Sequence, residues 1–210
     1  MICEGCKTRN NTASIASIGH LECLIYAHEN GCPWDYETTS CAARNGYLDC
    51  LKYAHEHGCP WDYATASRAA RNGYLECLIY AHEHGCPWAK ETTAWATFYG
   101  HPECLIYAHE HGCPWANETT AWATYYGYLE CLIYAHEHGC PWANGTTEWA
   151  VYWGNLKCLK YIYRCTKYCT PECEHLIKPI INNWINLVDI AKNERSYVPS
   201  DIWFLIGKYW

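Results

Sequence analysis

Residues 42–58 read Ala42-Ala43-Arg44-Asn45-Gly46-Tyr47-Leu48-Asp49-Cys50-Leu51-Lys52-Tyr53-Ala54-His55-Glu56-His57-Gly58. The string returns with few changes at 69–85, 96–112 and 123–139, and its central glycine recurs every 27 residues as Gly19, Gly46, Gly73, Gly100, Gly127 and Gly154. A fixed period of this size means one supersecondary unit stacked on copies of itself, each burying an apolar face that its neighbour supplies. Structure follows from the columns where the copies agree, and function is sought where they differ.

Inside one unit the pattern predicts two helices. The first starts near Thr38, a hydroxyl residue repeated as Thr65, Thr92, Thr119 and Thr146, which suits a helix N-terminus where a side-chain oxygen satisfies an orphan N–H. It stops at Gly46. The second carries Leu48, Leu51, Tyr53 and Ala54 as a buried stripe and ends at Gly58, with Pro60 just beyond as C-terminal punctuation. The exit loop Gly58-Cys59-Pro60-Trp61 recurs too, so Trp34, Trp61, Trp88, Trp115 and Trp142 are expected to form a ladder gluing repeat to repeat. Each contributes about 2–3 kcal/mol if largely buried.

Paired alanines, a glycine, a leucine, an acid, an apolar helix and a closing glycine, in that order, resemble the body of an ankyrin repeat. The resemblance covers about residues 12 to 165 and is nearest to the short, Gly-Cys-Pro-Trp-containing ankyrin-like arrays of large DNA viruses and some protists. The period is 27 residues rather than about 33, the missing residues falling in the β-hairpin connection. What the resemblance implies is an all-α, ankyrin-like repeat solenoid of stacked helical hairpins. Six repeats span 12–165. Residues 1–11 are expected to be the remnant of a truncated repeat, because Gly5-Cys6 and Thr12 repeat the spacing of Gly31-Cys32 and Thr38. Residues 166–210 depart from the pattern and are expected to form a helical C-terminal cap.

No apolar run approaches the roughly 18 residues that span a bilayer, and the start of the chain lacks a cationic segment followed by an apolar one. A formal charge of −7 with no lysine/arginine run argues against a polyanion. The expectation is a monomer in the cytoplasm, host cytoplasm if viral, or in the nucleus, with a protein partner, no nucleic acid and no membrane. The 17 cysteines mostly follow the repeat. Stacked helices lie about 8–10 Å apart, beyond the roughly 7 Å Cα limit for a disulfide, so these columns read as small apolar fillers in a reducing compartment.

Histidines recur at His28, His55, His82, His109 and His136, and again at His57, His84, His111 and His138. Two residues apart on a helix they point to different faces, which places a His-x-His pair poorly for one metal. One column is expected to pack between helices as neutral imidazole and the other to cap the helix end. Cys165, Cys169, Cys173 and His175 form a zinc-like set, as Cys3 and Cys6 do more sparsely, but Thr170-Pro171 interrupts the first and no metal or cofactor is expected. No phosphate loop, His-Glu-x-x-His motif or activated nucleophile appears, so the chain reads as a non-enzyme.

Variation concentrates on the first helix. Cys41, Arg44 and Asn45 correspond to Arg68, Arg71 and Asn72, but then to Trp95, Phe98 and Tyr99, to Trp122, Tyr125 and Tyr126, and to Trp149, Tyr152 and Trp153. The ankyrin-like resemblance places the two residues after the paired alanines on the concave face, in contact with partners. That implies a binding set of Arg44, Asn45, Arg71, Asn72, Phe98, Tyr99, Tyr125, Tyr126, Tyr152 and Trp153. Six aromatics each exposing about 100 Å² make a patch near 600 Å². The alternative is that these rings pack on one another or on the cap. The functional expectation is a protein-interaction scaffold. The runners-up are a ubiquitin-ligase adaptor, since Val198-Pro199-Ser200-Asp201-Ile202 weakly resembles the opening of an F-box, and a structural virion component.

Overall fold

A computed structural model describes residues 11–165. It contains α1 (Thr12–Ala16), α2 (Leu21–Glu29), α3 (Thr38–Arg44), α4 (Leu48–Glu56), α5 (Tyr63–Arg71), α6 (Leu75–Glu83), α7 (Lys90–Tyr99), α8 (Pro102–Glu110), α9 (Thr119–Tyr126), α10 (Leu129–Glu137), α11 (Thr146–Tyr152) and α12 (Leu156–Arg164), with no strand among the described residues. Each odd-numbered helix packs on the next odd-numbered one and each even on the next even, so the hairpins stack in two layers. The expected remnant at 1–11 and cap at 166–210 fall almost wholly outside the described residues, as do Cys3, Cys6, Cys169, Cys173, His175 and Val198–Ile202.

The hairpin turn shows why one residue type repeats without exception. Gly46 has φ +76°, a left-handed conformation that costs an L side chain about 1–2 kcal/mol, and a Cβ there would lie 2.5 Å from the Tyr74 ring of the following repeat. Turn and stacking therefore impose glycine independently. Gly58, in the exit loop, has φ +81° but nothing near its missing Cβ.

The core is a continuous spine of small residues and leucines. Ala42, Ala43, Leu51 and Ala54 and their equivalents are buried, and Cys50, Cys77, Cys104, Cys131 and Cys158 fill the same gap in successive repeats. All described cysteines are free. Burial pushes the Cys77, Cys104, Cys131 and Cys158 thiols up to about 12, which keeps them protonated fillers.

The threonines do something other than the expected capping. Thr38 is buried at the first position of α3 and Thr65 at the third of α5, where Asp62 is the residue that caps, its Oδ1 accepting from the Ala64 amide at 2.9 Å. The hydroxyls instead join one repeat to the next. Thr12 bonds Thr38 at 2.7 Å and Thr39 bonds Thr65 at 3.3 Å, while Thr39, Thr93 and Thr120 donate to the loop carbonyls of Pro60, Pro114 and Pro141. A buried hydroxyl needs a partner, and in a stacked array the nearest unfilled acceptors belong to the neighbouring loop.

The tryptophan column is interleaved with other rings. Trp61 stacks on His55 at 3.8 Å and sits edge-on to Tyr80 of the following repeat, whose ring lies against His84. Trp34 Nε1 donates to the His57 carbonyl of the next repeat at 2.9 Å. The two histidine columns divide the work as expected. His55 Nδ1 shares a 3.0 Å hydrogen bond with the Tyr80 hydroxyl across the repeat boundary, whereas His57 Nδ1 lies 2.8 Å from the Tyr53 carbonyl and must carry a proton to bond it. His-x-His neighbours diverge, yet stacking brings His55 and His84 of adjacent repeats to 5.4 Å between ring centroids.

A candidate binding face on the first helices

The variable columns lie on α3, α5, α7, α9 and α11, three and four residues apart, so they form one stripe that stacking extends from repeat to repeat. At one end Arg44 and Arg71 are exposed, and Asn45 and Asn72 turn their amides back to cap their own helices, donating to the Cys41 and Arg68 carbonyls at 2.8 and 2.9 Å. Arg68 is held by Ser40 at 2.7 Å and by an ion pair with Glu37 at 3.4 Å.

The switch from polar to aromatic is a physical junction. The Arg71 guanidinium lies 4.9 Å from the Tyr99 ring centroid and 5.4 Å from that of Trp95, and donates to the Tyr99 hydroxyl at 2.7 Å. A cation over two ring faces is attracted by both quadrupoles. Beyond it the rings interlock. Trp95 and Trp122 are nearly parallel, at 6.4 Å and 11°. Phe98 is wedged against Trp122 and Tyr126, Tyr125 packs against Trp149 and Trp153, and Tyr126 stacks on Tyr128. Partial burial, with Tyr125, Tyr128 and Tyr99 alongside, holds the Tyr126 phenol above its ordinary pKa.

The ten residues singled out from the sequence thus fall into different situations. Phe98 and Tyr125 are half-buried wedges between repeats, while Tyr99, Tyr126 and Trp153, one column, remain 37%, 40% and 50% exposed, and Tyr152 is 74% exposed. The sequence-derived set omits Trp95 and Trp122, half-buried rings that floor the stripe, and Trp149, which is 40% exposed and continues it. Their i, i+3, i+4 spacing with the chosen rings was the signal for them. Among the described residues no group of three or more histidines, cysteines or acids is placed to hold a metal, and no helix is long and apolar enough to cross a membrane.

This stack of helical hairpins is similar to the crystal structure of the human ASB11 ankyrin repeat domain, with a TM-score of 0.66 over 77% of this chain and 86% of that one. The fold is that of an ankyrin repeat array. At 16% identity the likeness concerns fold alone. No protein-family model matches the sequence, and no curated protein is similar to it.

Proposed function

We propose that this ankyrin-like array is a non-enzymatic scaffold that binds a partner protein through its first-helix stripe, the concave face of the solenoid. Ankyrin repeat folds generally mediate protein–protein interaction, but they serve so many pathways that the fold cannot name the partner. What carries the reading is the exposed column Tyr99, Tyr126 and Trp153, rigidly floored by Trp95 and Trp122 and flanked by Arg71. Aromatic and arginine side chains held still by their neighbours lose little entropy on binding, and they dominate measured interface hot spots. Arg44, Asn45 and Asn72 form the polar rim at one end, and Phe98, Tyr125 and Tyr152 back the exposed rings. The scaffold would act in the cytoplasm or nucleus as a monomer, without nucleic acid.

The test is to identify the partner by affinity purification with mass spectrometry, then to measure its affinity for a Tyr99→Ala, Tyr126→Ala, Trp153→Ala variant. Losing central anchors costs about 2 kcal/mol or more apiece, so capture should be abolished while helical circular dichroism is retained. A folded variant that binds with native affinity would sink the proposal.

A further inference from the structure

Between repeats two and three the chain satisfies a carboxylate on the stripe with an arginine of its own. Arg68, on α5, reaches back to Glu37 at the N-terminus of α3: Nη2 lies 3.4 Å from Glu37 Oε1, and Nη1 donates to Ser40 Oγ at 2.7 Å. Further along the array one half of that pair is kept and the other is lost. The Glu37 column continues as Ala64, Glu91, Glu118 and Gly145, whereas the Arg68 column continues as Trp95, Trp122 and Trp149. Ala64 gave up its charge together with the arginine that position 95 would have supplied. Glu91 and Glu118 kept theirs, although positions 122 and 149 hold tryptophan. Among the described residues neither carboxylate makes an ion pair or a side-chain hydrogen bond, even though Lys90 directly precedes Glu91.

The same stripe shows what else it offers a cation. The Arg71 guanidinium already sits over the Trp95 and Tyr99 rings and donates to the Tyr99 hydroxyl. Glu91 and Glu118 lie four residues before Trp95 and Trp122, so each carboxylate and its tryptophan share one side of a helix. A guanidinium suits that combination better than an ammonium does, because it can stack its plane on a ring while its fork meets a carboxylate.

We propose that the partner brings to this face an extended segment with two arginines three residues apart, one for Glu91 and one for Glu118. They would do between molecules what Arg68 does within this chain for Glu37. The assignment rests on the reading of the stripe as a binding face, and names the chemistry that face selects. Stacked helices lie about 8–10 Å apart and an extended chain advances about 3.3 Å per residue, so a step of three residues matches one repeat. Arg44 and Arg71, exposed at the other end of the stripe, repel such a segment and place it over repeats four to six, where Glu148 adds a further exposed carboxylate. The net charge of −7 favours its approach.

The test pans a library of random twelve-residue peptides against the full chain. Enriched peptides should carry Arg-x-x-Arg, and a synthetic copy of the best should bind a Glu91→Gln, Glu118→Gln variant at least tenfold more weakly. Glu37→Gln, whose carboxylate Arg68 already occupies, should leave its affinity unchanged. No enrichment, enrichment of peptides without arginines at that spacing, or equal affinity for the double variant would overturn the inference. The broader reading fails separately. Partner capture that survives Tyr99→Ala, Tyr126→Ala, Trp153→Ala removes the binding face itself, whereas capture lost there but kept in Glu91→Gln, Glu118→Gln removes only the arginine assignment.

Discussion

Position 66 breaks the threonine ladder, and the consequence can be worked out atom by atom. Threonine holds this column in all five other repeats, and Thr12, Thr39, Thr93 and Thr120 are fully buried, each donating to the next loop's proline carbonyl at 2.8–3.3 Å. Three of them also meet the hydroxyl of the threonine 26 residues on, at 2.7–3.3 Å. Repeat three has Ala66, and the threonine 26 residues on, Thr92, has a buried Oγ1 with no conventional hydrogen bond. Only the Cys113 thiol, a weak partner, interacts with it.

Ala66→Thr should supply both missing bonds, to Thr92 and to the Pro87 carbonyl, at about 1 kcal/mol each. Replacing alanine by threonine inside a helix costs about 0.5–0.7 kcal/mol. The net gain is about 1 kcal/mol, or 2–4 °C in Tm for a chain of this size. Thermal and urea unfolding followed at 222 nm measure it. Thr92→Ala should be nearly neutral, since it removes a hydroxyl that has no good bond to lose, and in that background Ala66→Thr should lose most of its gain, keeping only about 0.4 kcal/mol from the Pro87 bond after the helix cost. If Ala66→Thr lowers Tm, or its effect is the same with and without Thr92, the ladder does not act as described.

Acid should loosen the outer ring ladder. Burial first, then the neighbouring His84, His111 and His138, lower the pKa of His55, His82 and His109, with only partial compensation from the adjacent glutamates. Below the ordinary value of 6.5 the unfolded chain takes up protons that the folded chain refuses, so Tm should be flat above about pH 7 and fall as the pH drops below 6.5. His84→Asn should shrink that slope without losing the helix-end bond, because Asn30 already makes it to the Tyr26 carbonyl at 2.8 Å, and an unaltered slope would count against the pairing. Gly58→Ala should cost about 1–2 kcal/mol for its backbone alone, whereas Gly46→Ala should cost more, about 3 kcal/mol, because Tyr74 must also move; equal urea midpoints for the two would contradict the close approach. Thiol titration of the native protein should modify Cys50, Cys77, Cys104 and Cys131 only as fast as the array unfolds, and rapid labelling there, read by peptide mapping, would mean the columns are open to solvent.

The sequence by itself determined whatever lies within one 27-residue unit. Period, paired helices, left-handed glycine turns and proline-marked loops all follow from local chemistry, because φ preferences and helix-face spacing act over four or five residues. It also located the variable stripe, whose i, i+3, i+4 pattern is local as well. Tertiary structure decided everything that crosses a repeat boundary. Thr38 and Thr65 read locally as caps, yet they share hydrogen bonds with the hydroxyls of Thr12 and Thr39, 26 residues away. His55 and His57 diverge on their helix, yet each meets a histidine of a neighbouring repeat. Phe98 and Tyr99 are adjacent in sequence and alike in chemistry, yet one is a wedge and the other is exposed. A perfect repeat gives every copy the same pattern, so it cannot say which side of each interface a residue faces. Only the way one hairpin settles on the next fixes that.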